Sequence, residues 1–251
     1  MPPRNINQTI LKSSYCEDDD DSLHSSNNNN NLGNNIYYEI GVDEAGRGPM
    51  LGRVYASAAV LPKTMEEFDH SLMKDSKKFH SEKKIKEVAQ YIKQRAIAWS
   101  VQYSDEKVID KINIRNATHK AMHAAINDVL KQLEAKNPSV SILLLVDGND
   151  FTPFIQNNSN NSTNSALSKQ ISHVCIEGGD NAYSSIAAAS ILSKVSRDEY
   201  IAELCEANPN LDQHYGILKN KGYGTKKHMD GIKEHGITSF HRKSFGICRS
   251  Y

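Results

Sequence analysis

The sequence predicts an α/β fold, a mixed sheet with helices on its faces, and three observations carry that prediction. The first is a pair of apolar runs, residues 36–42 and 53–61, joined by a glycine-rich turn. The second is a continuous apolar run, Ile142 to Val146, that ends in Asp147-Gly148 and has the character of a strand buried on both faces. The third is that strand-like runs come first and then alternate with helical stripes, the order expected when helices cover a mixed sheet.

The first run, IYYEIGV, reaches two adjacent carboxylates, Asp43 and Glu44, then Gly46-Arg47-Gly48-Pro49, and then the second run up to Pro62. Strict alternation along a strand sends Asp43 and Glu44 to opposite faces. The sequence therefore predicts a bulge or sharp turn at Ala45-Gly46, where glycine frees the backbone. Two carboxylates beside a glycine loop with one arginine point to metal and phosphate; a hairpin with a charged tip is the plainer alternative.

Ser81 is a fitting N-cap for a helix over EKKIKEVAQYIKQR, with Ile85, Val88, Ala89 and Ile92 on one face. A third strand follows over residues 96–104. A longer helix is expected from about Asn113 to Lys136, with Ile114, Ala117, Ala121, Ala125, Val129 and Leu133 at helical spacing and Asn137-Pro138 as its stop. After the Asp147 strand comes ISHVCIEGGD, a short fifth strand leading to Asp180, and then an Ala- and Ser-rich helix from about 182 to 206. Its small residues, Ala187 to Ser190, permit close approach to a neighbouring backbone.

Residues 1–35 combine EDDDD at 17–21 with an asparagine tract and almost no apolar periodicity, and are expected to be disordered. The low-complexity stretch 156–168 reads as a surface loop. The domain plan is thus a tail over 1–35, a catalytic domain over 36–206, and a basic C-terminal helical extension over 207–251.

The chain carries 30 basic and 30 acidic residues, yet from His214 onward eight Lys or Arg face only Asp230 and Glu234. That end is the expected polyanion-facing surface, with Lys221, Lys226, Lys227, Arg242 and Lys243 holding a nucleic-acid backbone. Cys16, Cys175, Cys205 and Cys248 contain no CxxC pair, which argues against zinc and for free thiols in a reducing compartment. No run approaches the roughly 20 apolar residues of a membrane helix, and the N-terminus has no long apolar segment. A soluble cytoplasmic monomer is expected.

Asp43 and Asp147 each close an apolar strand. If those strands are parallel neighbours, both acids reach one edge of the sheet, where open α/β sheets bind ligands. Asp180, at a glycine turn, would approach from the side, and Glu44 would be the fourth. Each has an ordinary alternative: Asp180 as a helix N-cap, Asp147 as a turn residue. Four close carboxylates raise one another's pKa and call for a counter-charge, and hard oxygen donors select Mg²⁺ or Mn²⁺.

Taken together, DEAGRGPMLG (43–52), DSKK (75–78), INIRNATHKAM (112–122), LLVDG (144–148), GGD (178–180) with SIAAASILSKVSRD (185–198), KGYGTKKH (221–228) and HRKSF (241–245) occur in the order and spacing of ribonuclease HII. The pattern resembles the single-chain bacterial type over about residues 36–247. The resemblance implies a ribonuclease H-like fold, a five-stranded mixed sheet flanked by helices with a C-terminal helical extension. It also implies a metal-dependent endonuclease that cuts RNA in RNA/DNA hybrids and 5′ of single ribonucleotides in duplex DNA, serving ribonucleotide removal and primer RNA degradation. By resemblance, Asp43, Glu44, Asp147 and Asp180 are the catalytic metal ligands. Gly46, Arg47 and Gly48 contact the 2′-hydroxyl, Tyr223 packs on the next deoxyribose, and Ser76, Lys77 and Lys194 lie near phosphates. A sliding-clamp partner is not established by it. The pattern departs from the family at Met50-Leu51-Gly52-Arg53, where Leu-Ala-Gly-Pro is usual and Arg53 is expected to meet phosphate or solvent, and at the asparagine-rich insertion before Ile171. A nuclease confined to long hybrids, a non-catalytic hybrid-binding module and a metal-independent histidine ribonuclease are the competing readings.

Overall fold

The computed structural model describes residues 10–15, 36–136, 140–157 and 168–251. Strands β1 (Ile36–Ala45), β2 (Val54–Val60), β3 (Ala98–Ser104), β4 (Val140–Asp147) and β7 (Ser172–Ile176) form one sheet in the order β3-β2-β1-β4-β7. A separate two-stranded ribbon pairs β5 (Ile155–Asn157) with β6 (Ser168–Gln170). Strands β1, β2 and β3 are antiparallel neighbours, whereas β4 runs parallel to both β1 and β7. The sheet is therefore mixed and five-stranded, as expected.

Helices α1 (Glu82–Arg95), α2 (Glu106–Ile112), α3 (Ile114–Glu134) and α4 (Ser184–Ala207) belong to the sheet domain. Ser81 caps α1 by accepting from the Lys84 amide at 3.3 Å. Helix α3 packs on one face of the sheet through Ala121, Ala125, Ile126, Val129 and Leu133, which meet Ile40, Val42, Leu144 and Val146. Helices α1 and α4 cover the other face around Phe68, Ile92, Ala187, Ala188 and Ile191. The approach of α4 to β1 is close enough that a Cβ at Gly41 would stand 2.1 Å from the Ser185 carbonyl carbon. The short helix α2 was not expected from the sequence; Asn113, with φ +66°, separates it from α3 and caps the latter by accepting from the Asn116 amide.

The C-terminal extension holds α5 (Asn210–Tyr215), α6 (Ile217–Asn220) and α7 (Lys226–His235). Leu211, Tyr215, Ile217 and Ile232 pack with Met50, Leu51 and Ile201, so the extension is seated directly behind the glycine loop.

Three expectations need correction. Of the bulge or sharp turn expected at Ala45-Gly46, the turn forms, at Gly46 with φ +95°, but no bulge breaks β1 at its acids: pairing with β2 continues through Asp43↔Ser57, Glu44↔Ala56 and Ala45↔Tyr55. Residues 10–15 are not an unstructured part of the tail; Lys12 makes a parallel bridge to Tyr183. The expected loop 156–168 begins and ends in the β5-β6 ribbon, since Gln156, Asn157 and Ser168 are paired. The asparagine tract, the acidic run, Cys16 and Asn137-Pro138 fall outside the described residues, and so does most of that loop. Cys175, Cys205 and Cys248 are free thiols. Among the described residues no helix is long and apolar enough to cross a membrane.

Candidate active site

The parallel pairing of β1 with β4 brings Val42 beside Val146 and stops there. Beyond that point β1 is flanked on one side only. Asp43 and Glu44 therefore both open on one cleft, although alternation is intact, and Asp147 joins them from the end of β4. The cleft encloses about 370 Å³. Its walls include the Gly46-Arg47-Gly48 loop, Ser76 and Lys77 from the 3₁₀ turn Ser76–Lys78, Lys194 from α4, and Tyr223.

Asp180 stands behind this lining, buried in the 3₁₀ turn Gly179–Asn181. It is not the N-cap of α4; Tyr183 holds that position. The same turn reaches Asp147, because the Gly179 amide donates to Asp147 Oδ1 at 2.7 Å.

The acids feel one another. Burial, then the charges of Glu44 and Asp147, push the Asp43 carboxyl well above its usual range, against hydrogen bonds from Ser190 and from the Glu44 amide. That amide lies 2.6 Å from Asp43 Oδ1. Burial also raises Glu44, with Arg47 opposing; the Arg47 guanidinium is 3.5 Å from Glu44 Oε1. Burial, then Asp75 and Asp147, lift Asp180 to about 6. Lys77 is the internal counter-charge. Burial disfavours its ammonium, but Asp75, Asp180, Asp43 and Asp147 together raise its pKa.

Among the described residues, no three acidic, histidine or cysteine side chains converge as they stand into a cation cage. The donor set nevertheless fits a hard divalent cation. It is made of carboxylate oxygens, and their mutual elevation is the unfavourable charge density that such an ion relieves.

Several neighbours escaped the sequence reading. Asp75 accepts from the Lys77 amide at 2.8 Å, and its charge helps raise the Asp180 pKa. The Ser76 and Ser190 hydroxyls are 3.0 Å apart, and Ser190 holds the Asp43 pKa down against its burial. Lys194 is tethered to Asp198 one turn on. Asp75 opens the DSKK block and Ser190 sits in the Ala/Ser stripe, so both were visible as letters; only the packing of α4 on β1 gives them a role.

Arg242 is the largest correction. Rather than meeting a nucleic-acid backbone, it is 0% exposed. Its guanidinium donates to the carbonyls of Arg47 (2.9 Å), Pro49 (2.7 Å), Gly52 (2.8 Å) and Gly46. Burial and then the neighbouring Arg197 lower its pKa to about 9, which leaves it charged at neutral pH. Arg197, also buried, donates to the Lys221 carbonyl at 2.8 Å. Arg53, half-buried, lies with its guanidinium 4.0 Å from the Tyr103 ring centroid and 4.5 Å from that of Tyr200 rather than simply facing solvent.

A five-stranded mixed sheet with acids gathered at the open ends of β1 and β4 belongs to the nucleases of ribonuclease H-like architecture. The ribonuclease H2 of Pyrococcus horikoshii OT3 is similar in fold, with a TM-score of 0.60 at 21% identity over 85% of this chain and 96% of that one. A Bst ribonuclease HIII solved in complex with Mn²⁺ aligns with a TM-score of 0.52 at 18% identity, over 80% of this chain and 70% of that one. At the level of sequence, residues 40–248 match the family model described as Ribonuclease HII. The Ribonuclease HII of Parabacteroides distasonis is 43% identical over 83% of this chain and 90% of its own length. The chain belongs to the ribonuclease HII family, endonucleases that hydrolyse RNA paired with DNA.

Proposed function

We propose that this chain, besides cutting the RNA strand of RNA/DNA hybrids, cleaves 5′ of single ribonucleotides embedded in duplex DNA, leaving 3′-hydroxyl and 5′-phosphate ends. Such a reaction would serve ribonucleotide removal in DNA repair and primer RNA degradation in replication. The observation that carries this reading is the placement of Tyr223 against the glycine loop. A Cβ on Gly48 would stand 3.3 Å from the Tyr223 ring, while the ring itself is 50% exposed beside the acids. The open face of the ring, next to the loop, would suit a deoxyribose that follows a ribose held at the loop.

Arg242 gives the loop its aim. Trans peptides point C=O and N–H in opposite directions. Holding the Gly46 and Arg47 carbonyls therefore turns the Arg47 and Gly48 amides away from Arg242. Those two donors would read the 2′-hydroxyl, the group that separates RNA from DNA. Gly46 itself, at φ +95°, has Arg197 so near that a Cβ would lie 2.2 Å from its Nε.

Asp43, Glu44, Asp147 and Asp180 would hold Mg²⁺ or Mn²⁺. Bound there, such ions would supply an activated water and charge neutralisation at the leaving oxygen. The chain's own residues do the rest. Ser190, with Ser76 beside it, would steady the Asp43 carboxylate, Lys77 and Lys194 would face the scissile strand's phosphates, and Lys221, Lys226, Lys227 and Lys243 would add salt-dependent affinity.

The test compares an all-RNA/DNA hybrid with a DNA duplex carrying one ribonucleotide, in Mg²⁺, in Mn²⁺ and in excess chelator. Cleavage of both substrates with either ion, and neither in chelator, is expected. Failure on the single ribonucleotide alone would remove the junction-reading role of the loop and Tyr223. Undiminished cutting in chelator would remove the metal.

A further inference from the structure

Residues 10–15 lie upstream of the segment, 40–248, that matches the family. They are nevertheless tied to the body of the protein at three places. At the first, the Lys12 amide donates to the Ala182 carbonyl at 2.9 Å, and the Ser184 amide donates back to the Lys12 carbonyl at 2.9 Å. Ser184 is the first residue of α4, where an amide has no acceptor within the helix, and Tyr183 contributes no side-chain cap. Lys12 supplies the missing acceptor from a distant part of the chain.

The second tie is Glu39, a carboxylate on the central strand that is only 5% exposed. The Ser14 hydroxyl donates to Glu39 Oε1 at 2.8 Å and the Tyr15 amide to Oε2 at 3.0 Å. Lys63 Nζ bridges the same pair, 2.9 Å from Ser14 Oγ and 3.3 Å from Glu39 Oε1. A buried carboxylate is costly unless hydrogen-bonded, so a strand position that spends a glutamate to receive these two donors is built for the segment it receives. Packing makes the third tie: Leu11 joins the cluster under α1 and α4, and the Tyr15 ring lies 5.7 Å from that of Tyr183.

These ties end on the acids. Ala182 and Tyr183 each donate to the Gly179 carbonyl, Asp180 sits inside that turn, and Gly179 donates to Asp147. An unbroken path of hydrogen bonds thus runs from Lys12 through the turn to the carboxylate of β4.

We propose that residues 10–15 are a positioning strap that holds the Asp180 turn and the first turn of α4 in their working geometry. The strap touches no substrate, and its effect on turnover rests on the role given to Asp180 above. Its effect falls on kcat rather than KM, because the glycine loop and Tyr223 are held by Arg242 and the extension, which the strap does not reach.

Three chains decide it: one lacking residues 1–9, one lacking residues 1–15, and the full chain with Ser14→Asp, which sets a second carboxylate against Glu39. Loss of 1–9 is expected to leave kcat unchanged. The other two are expected to lower kcat on an RNA/DNA hybrid by about ten- to a hundredfold, the scale of a misplacement near 1 Å, with KM little changed. Amide exchange at Asn181–Ser184 is expected to quicken in both. Adding Glu39→Gln to Ser14→Asp, which offers the introduced carboxylate a donor, is expected to restore kcat. A lowered melting temperature with kcat and exchange both unchanged overturns the strap. Asp180→Asn in the full chain reads the acid separately: if turnover survives there, the role of Asp180 fails, while the exchange measurement still judges the strap.

Discussion

Arg242 Nη2 donates to the carbonyl oxygen of Gly46 at 2.7 Å, joining residues 196 positions apart across the back of the glycine loop. Every other hydrogen bond of that guanidinium also goes to a backbone carbonyl of residues 47–52. Among the described residues no carboxylate makes an ion pair with it. The charge therefore serves geometry: a planar fork with five donors organises a loop that has little side chain of its own.

Arg242→Lys is expected to destabilise the protein by about 3 kcal/mol, because an ammonium cannot serve all four carbonyls and each stranded acceptor costs roughly 1–3 kcal/mol. Urea unfolding measures this as a lower midpoint at constant slope. The same variant should lose more activity on a single embedded ribonucleotide than on a hybrid, since only the former depends on one correctly aimed loop contact. Equal losses on both would show that Arg242 acts only on stability.

Gly46→Ala is expected to reduce cleavage at least as strongly. The position combines φ +95° with an Arg197 side chain 2.2 Å from where the methyl would sit. A left-handed non-glycine residue costs about 1–3 kcal/mol, and Arg197 must move, releasing the Lys221 carbonyl beside Tyr223. Shortening the arginine relieves the clash but not the backbone. Gly46→Ala with Arg197→Ala should therefore recover part of the stability and little of the activity, measured as melting temperature and kcat/KM.

Much of this was legible in the letters. Apolar runs place β1 and β2, helical spacing places α1 and α3 because each helix buries one face, and Asp43 and Asp147 announce themselves at the ends of apolar runs. The reading failed where a residue's role depends on a distant partner. Arg242 looks like any basic residue in a basic tail until four carbonyls from residues 46–52 close around it. Glu39 looks like a polar letter in a strand until Ser14 and Tyr15 reach it. Of the bulge or sharp turn expected at Ala45-Gly46, only the turn forms, and the bulge is unnecessary for a related reason. It is the end of the β4 pairing, not a break in β1, that lets both acids share a cleft.

Asp43→Asn should abolish metal-dependent turnover and, in metal-free buffer, raise the melting temperature. Burial and the charges of Glu44 and Asp147 raise the Asp43 pKa in the folded chain, so the folded state holds a proton that the unfolded state has released. Stability from this site is present at low pH and is lost as pH rises through the raised value. Removing the charge recovers it. The gain should be largest at mildly alkaline pH and should vanish near the ordinary carboxylate range. Mg²⁺ should reverse the order, stabilising the parent by ligand linkage more than the variant. Scanning calorimetry with and without Mg²⁺ at several pH values checks both halves.

His228 and His241 set the acid limit of the folded extension. The Thr238 amide donates to His241 Nδ1 at 2.9 Å, so His241 carries its proton on Nε2. That N–H donates to His228 Nε2 at 3.0 Å, which leaves His228 Nδ1–H to donate to the Tyr223 carbonyl at 3.0 Å. A proton added to His228 Nε2 would set N–H against N–H at this contact, and one added to His241 Nδ1 would do so against the Thr238 amide. Burial, then the His228 charge, lowers the His241 pKa to about 4, and burial lowers His228 as well. For a histidine lowered in the folded state, the unfolded chain binds the proton first, so stability is full at neutral pH and falls as pH drops from about 6.5 to about 4. At 1.36 kcal/mol per unit this amounts to about 3 kcal/mol. Urea midpoints for the parent and His241→Asn across that window isolate the contribution, and the variant should show a shallower slope by about one proton. Because the relay ends on the backbone of Tyr223, cleavage at single ribonucleotides should fail at a higher pH than unfolding does. Coincident loss of both would mean that the pair holds the extension together without setting the tyrosine.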